Sequence, residues 1–170
     1  MAGNKAIFEI RPEKPSDVTD IFDLTQRAFA PMQFSDGSEP ACVNALRLDG
    51  DLALSLVAVV AGAIVGHVAF SPATVQGTKN GWFGLGPVSV DPDFQGQGIG
   101  SALIEQGLAE LRQRGASGCL LIGDPGFYCR FGFEGDVDLT YRDLRPDIVQ
   151  ALAFSGNPPV GEIVFARGLE

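Results

Sequence analysis

Three glycines at alternate positions, Gly96, Gly98 and Gly100, sit inside the stretch GLGPVSVDPDFQGQGIGSALI at residues 84–104. A short β-branched run (Val88, Val90) leads through the Asp91-Pro92 turn into the glycines, and a helical pattern begins at Gly98. Strand, tight loop and helix start together make an anion site. The first N–H groups of a helix lack intrahelical acceptors, and the macrodipole adds partial positive charge there. Glycines without Cβ let a phosphate lie on the backbone itself. The Walker pattern requires Gly-Lys-Ser/Thr, and no lysine follows here. The dinucleotide fingerprint wants an acidic residue about 20 positions on, where this chain has Gly118. A purely structural strand-to-helix turn, with glycines that only permit close packing, stays open at this point.

A second block with chemical potential is GDPGFYCRFGFE at residues 123–134, with the spacing Phe127-Tyr128-x-x-x-Gly132-Phe133. The first block reduces to Gln95-x-x-Gly98-x-Gly100, preceded by Val90-x-Pro92 and followed by Leu103-Ile104. In this order the two blocks resemble the acyl-CoA signature and the Phe-Tyr-x-x-x-Gly-Phe block of the GNAT superfamily of N-acetyltransferases. Arg11-Pro12 before an acid-capped helix is also similar to the opening of many GNAT domains. The likeness is strong over residues 85–134 and loose over the rest.

The resemblance implies an α/β (α+β) fold. Its central mixed sheet has six to seven strands with a splay between the fourth and fifth, and helices lie on both faces. It implies acetyl-CoA as cosubstrate. The N–H groups of Gln97, Gly98, Ile99, Gly100 and Ser101 would hold the pyrophosphate, with Gln95 and Gly96 at the loop's entry. The backbone of Val88, Ser89 and Val90 would face the pantetheine arm, and the Tyr128 phenol would approach the sulfur. The expected reaction is acetyl transfer to a primary amine by direct attack in a ternary complex. A non-catalytic acyl-CoA-binding module on the same fold is the alternative. One departure bears on mechanism: many family members carry a base glutamate on the strand before the loop, and residues 82–90 contain no carboxylate. His67, Glu39, Asp124 or a water chain remain as routes for the proton.

A chain of 170 residues, 45% hydrophobic, suits one domain over 1–170 with a sizeable core. The net charge of −9 argues against nucleic acid and is compatible with a cationic amine. Three cysteines without Cys-x-x-Cys spacing and a single histidine make neither a zinc site nor a disulfide framework. No signal-peptide core opens the chain, so a reducing cytoplasm is the expected address. An acyl-enzyme on Cys129 lacks an adjacent histidine to activate it.

Taken in order, residues 6–11 alternate as a strand. Ser16 or Asp17 then caps a helix with Val18, Ile21, Phe22, Leu24 and Ala28 on one face. Residues 29–40 form a loop and 39–47 a short helix. In the family this region lies over the acceptor, which makes Phe34, Asp36 and Glu39 candidate contacts. Residues 52–70 lack charge over a length that could span a membrane. Gly62, Gly66 and the valines instead favour two strands, 52–60 and 63–75, so no membrane partner is expected. His67 on the second strand is either a base or a hydrogen-bonded core residue.

A turn at 77–81 precedes a strand at 82–90, where Gly86-Pro87 requires an edge or bulge. A helix follows over 98–114, stopped by Gly115. Gly107 in its middle has no explanation from sequence. Residues 119–122 suit a doubly buried strand, and Asp124 suits a helix cap. Residues 136–141 read as a strand, 146–153 as a turn or short helix, and 161–167 as a final strand. A homodimer through a free sheet edge stays open.

Overall fold

The structure is a computed structural model and describes residues 7–33, 35–76 and 78–170, with backbone alone at 78–80. Ala6, Phe34 and Gly77 lie outside the described residues. The strands are β1 (Glu9–Pro12), β2 (Leu54–Val60), β3 (Ala63–Val75), β4 (Thr78–Val90), β5 (Gly118–Ile122), β6 (Leu139–Thr140), β7 (Val149–Ala153) and β8 (Gly161–Val164). The helices are α1 (Val18–Phe29), α2 (Glu39–Leu48), α3 (Ile99–Gln113) and α4 (Pro125–Tyr128). Six strands form a continuous sheet in the order β1-β2-β3-β4-β5-β7, and β8 extends it from β3 with β6 alongside. β4 and β5 run parallel while their outer neighbours are antiparallel, so the sheet is mixed as expected.

The uncharged stretch is a hairpin. Val60 pairs with Ala63 across a two-residue turn. Ala61 and Gly62 there have φ of 50° and 82°, the left-handed pair that matches strand twist. Among the described residues no helix is long and apolar enough to cross a membrane. Alternation then divides the layers. Leu54, Leu56, Ala58, Val68 and Phe70 pack under Ile99, Leu103, Ile104, Leu108 and Leu111 of α3. Val57, on the opposite face, meets Ile21 of α1 and Val43 of α2. Helices therefore cover both faces.

Several boundaries differ from expectation. β4 begins at Thr78, paired with Val75, earlier than the sequence suggests. Residues 149–153 are an edge strand along β5, not a turn or helix. Their short apolar run gains its ladder from a strand some 30 residues earlier, and Ala151 also exchanges backbone hydrogen bonds with Glu134 at 3.0 Å. The 136–141 strand shrinks to Leu139–Thr140, and the last strand ends at Val164. Asp17 precedes α1 but makes no side-chain cap to it. Its carboxylate accepts from Arg11 at 2.7 and 3.1 Å and from the Lys14 N–H at 2.7 Å. Phe22 is half-buried, and Thr25 takes a place on the buried face, its hydroxyl donating to Ile21 O at 2.7 Å.

Gly107 now has its reason. It faces the ring of Phe70 on β3, and a Cβ there would overlap ring carbons Cε2 and Cζ. The glycine lets α3 lie against the sheet over a fully buried phenylalanine. Gly107→Ala would gain up to about 1 kcal/mol of helix propensity but incur an overpacking cost of about 1–3 kcal/mol. Denaturant unfolding is expected to show net destabilisation, relieved when Phe70 is also reduced to Leu.

His67 is completely buried on the α1/α2 side of β3. Its Nε2 lies 2.8 Å from Ser55 Oγ, Ser55 donates to Glu13, and Arg47 of α2 donates twice to Glu13 at 2.9 Å. Burial, outweighing the nearby Glu13 carboxylate, depresses the imidazole from its ordinary 6.5 to about 4. Glu13, although burial pushes it up, is held below the usual range by hydrogen bonds from Arg47 and Ser55. Between pH 6.5 and 4 the unfolded histidine binds a proton that the folded one refuses, so folding stability falls as pH drops through that window. Unfolding measured at pH 7 and pH 5 should show this loss in the wild type and little of it in His67→Gln.

Candidate active site

β4 hydrogen-bonds to β5 only at Trp82, Phe83 and Gly84, although it continues to Val90. The parting coincides with Gly86-Pro87. Across from β3, Val68 pairs with Val88 and Phe70 with Leu85, so β4 carries an extra residue in this interval. Proline can donate no ladder bond, and the bulge bends the strand away from its parallel neighbour. From Leu85 onward the β5-facing edge of β4 pairs with no described strand.

The loop after β4 is braced on both sides. Asp91 accepts from the Asp93 N–H at 2.9 Å, its own N–H donates to Val65 O at 2.8 Å, and its carboxylate pairs with Arg27 of α1 at 3.1 Å. That ion pair offsets a negative charge next to the loop. Gln95, expected at the loop entry, turns back and donates its side-chain N–H to Val90 O at 3.1 Å. Gly98 is the N-cap of α3 with φ 84°, a conformation that costs other residues roughly 1–2 kcal/mol. The intrahelical ladder begins with Ala102 N–H to Gly98 O at 3.0 Å. The N–H groups of Ile99, Gly100 and Ser101 therefore precede the ladder, and no side chain caps them. A Cβ at Gly96 or Gly98 would project into open space, so this face of the loop is bare backbone.

The second block folds back onto the first. Asp124 caps α4 as expected, accepting from the Gly126 N–H at 2.9 Å. α4 and the 3-10 turn Cys129–Phe131 carry Phe127 and Arg130 to the loop. A cleft of about 320 Å³ is lined on one side by Val90, Phe94, Gln95, Gly96, Gly98, Ile99, Gly100 and Ser101, and by Phe127 and Arg130 on the other. Val88, Ser89 and Gln97 are outside that lining. Ser89 pairs with His67 across the ladder, and its hydroxyl is buried away from the cleft without a hydrogen-bond partner among the described residues. Only its backbone could serve a ligand.

Tyr128 sits behind Phe127, edge-on to it at 4.9 Å and to Phe133 at 6.1 Å. Burial, with the Asp124 carboxylate adding to it, raises the phenol above its ordinary value, so it stays protonated at neutral pH. Cys129 is exposed and its Sγ lies 3.7 Å from Gly126 O. His67, on the opposite face of the sheet, is not available to activate it. Among the described residues no group of three or more His, Cys, Asp or Glu is gathered that could hold a metal. What the cleft offers, among the described residues, is the bare N-terminus of α3, the end of β4 at Val90 and the Arg130 guanidinium, while Tyr128 is not among the residues that line it.

The GNAT acetyltransferase domain model matches residues 51–135, which contain both blocks. The chain belongs to the GNAT acetyltransferase family. It is 41% identical to the N-acetyltransferase YhbS of Escherichia coli K12 over 80% of its own length and 77% of that protein. A GNAT acetyltransferase from Brucella melitensis, crystallised with acetyl-CoA, superposes with a TM-score of 0.88 at 43% identity, covering 97% of this chain and 99% of that one. YhbS crystallised with CoA gives 0.89 at 33% identity, covering 99% and 95%. The protein is thus an acyltransferase with acetyl-CoA as its cosubstrate, and the bare loop backbone and free α3 amides suit that ligand's phosphates.

Phe94, Phe127 and Arg130 are the cleft residues that sequence reasoning missed, and Arg130 is the charged one. The available signal was a lone basic residue inside the Phe-Tyr block of an acidic chain. For the loop, Gly98→Ala should cost about 1 kcal/mol of stability through its positive φ. Loss of the aligned amides should weaken acetyl-CoA binding about tenfold in a calorimetric titration. Unchanged affinity in the folded variant would remove this loop from the site.

Proposed function

We propose that the enzyme transfers the acetyl group of acetyl-CoA to a primary amine of a small molecule or protein, by direct attack in a ternary complex. The observation that carries this reading is Tyr128, a phenol kept protonated at the end of α4, next to Phe127, which lines the loop cleft. As the neutral amine attacks, negative charge on the thioester oxygen is met by the backbone N–H near Val88 on the unpaired edge of β4. When the carbon–sulfur bond breaks, Tyr128 gives its proton to the departing sulfur. The proton lost by the amine nitrogen restores the phenol, and atoms balance as amide plus CoA thiol.

An ammonium substrate must first lose a proton to become nucleophilic. His67 is ill suited to take it, being fully buried and depressed to about 4. Asp124 is engaged as the α4 cap. Glu39 lines a separate cleft of about 220 Å³ between the end of α1 and the start of α2, with Gln26 and Phe29, and accepts from Ser35 at 2.5 Å. Asp36 is turned inward on its own loop, accepting from the Ser38 N–H at 2.9 Å. A carboxylate beside an aromatic ring, in a chain of net charge −9, suits a cationic acceptor, so Glu39 is the favoured amine contact.

Thiol release from acetyl-CoA across a panel of amines tests the reaction. Tyr128→Phe should lower kcat by about 100-fold, the lower range for a lost proton donor, with KM for acetyl-CoA nearly unchanged. Full kcat in that variant would exclude the phenol from proton transfer.

A further inference from the structure

The α3 N-terminus supplies only neutral amides and a partial dipole charge, yet it must hold a polyanion within a protein of net charge −9. Arg11, Arg27, Arg47, Arg114, Arg142 and Arg145 each pair with a carboxylate. Arg130 pairs with none among the described residues. It is exposed, and among the described residues it is the one charged side chain that lines the loop cleft. Lys14, Arg112 and Arg167 also make no ion pair among the described residues, Arg112 standing over the Phe154 ring, but none of the three lines the loop cleft.

Arg130 is nonetheless held in place. Its Nε donates to the carbonyl oxygen of Phe127 at 2.8 Å, and its guanidinium carbon stands 4.4 Å from the centre of the Phe127 ring. Phe127 is in turn fixed edge-on against Tyr128 and Phe131. These contacts use Nε and one face of the fork and leave both terminal amino groups without a hydrogen-bond partner among the described residues. A guanidinium fixed in advance loses little rotamer freedom on binding, and its two terminal N–H groups match phosphate oxygens.

We propose that Arg130 is the charged anchor for a phosphate of CoA. It would face the α3 amides across the cleft, so that the anion is gripped by neutral donors from one wall and a full positive charge from the other. Arg130 would then set the enzyme's preference for CoA thioesters over thioesters of the phosphate-free arm.

The test is calorimetric titration of the full chain with CoA, 3′-dephospho-CoA and pantetheine. The wild type is compared with Arg130→Gln, which keeps a planar group over Phe127, and with Arg130→Ala. Removing the charge should weaken CoA about tenfold, flatten the loss of CoA affinity with added salt, and leave pantetheine unchanged. Equal weakening of CoA and dephospho-CoA identifies the pyrophosphate as the partner, and weakening of CoA alone identifies the 3′-phosphate. Either result supports the anchor. Pantetheine weakened as much as CoA would mean that Arg130 only shapes the α4 turn, and unchanged CoA affinity in both folded variants would mean that it has no part in binding. Both results overturn the proposal. Binding is read without turnover, so the outcome is independent of which amine the enzyme acetylates.

Discussion

The parting of β4 from β5 is the constraint on which the site depends. Two parallel strands in a sheet normally leave nothing unpaired between them, because a buried backbone N–H or C=O without a partner is costly. Here the pairing stops after Gly84, at the point where the bulge around Gly86-Pro87 bends β4 away. The unpaired edge that results can offer hydrogen bonds to an extended arm. The diverging strand ends also leave room for α3 to begin on one side and α4 on the other. The loop, Phe127 and Arg130 line one cleft at the end of β4.

Electrostatics within that gap are economical. Asp91, where β4 enters the loop, is paired with Arg27, so α1 is tied to the end of β4 and a repulsive charge is offset by the same contact. The three leading amides of α3 and the macrodipole supply a distributed positive potential without lysine. Tyr128 belongs to the opposite regime: burial keeps its phenol neutral. The face under α1 and α2 follows a third rule. Arg47, Glu13, Ser55 and His67 form a connected polar chain into the sheet, and its inner end is a neutral imidazole. It is a fold-stabilising network, whose weakness is exposed by acid.

Much of this was readable from residues that act locally. Gly115 adopts the positive φ expected at the end of α3, at 81°. Asp124 caps the helix that Pro125 begins, and Gly86-Pro87 marks the bulge because proline cannot join a ladder. What failed were features whose partners are distant in sequence. Residues 149–153 have no strong strand pattern of their own and become β7 only because β5 presents an open edge. Gly107 looks like a defect in a helix until Phe70 is found beneath it.

By itself, then, the sequence determined the glycine loop, the Phe-Tyr block, the hairpin in place of a membrane span and the acetyltransferase family. Each of these rests on spacing within a few residues, or on backbone preferences that a side chain carries wherever it goes. Only the tertiary structure decided that the two blocks share one cleft, that His67 is sealed from it and that Arg130 stands over it unpaired. Those are matters of which surfaces meet, and they follow from how α3 and α4 pack on a sheet whose central pair of strands has come apart.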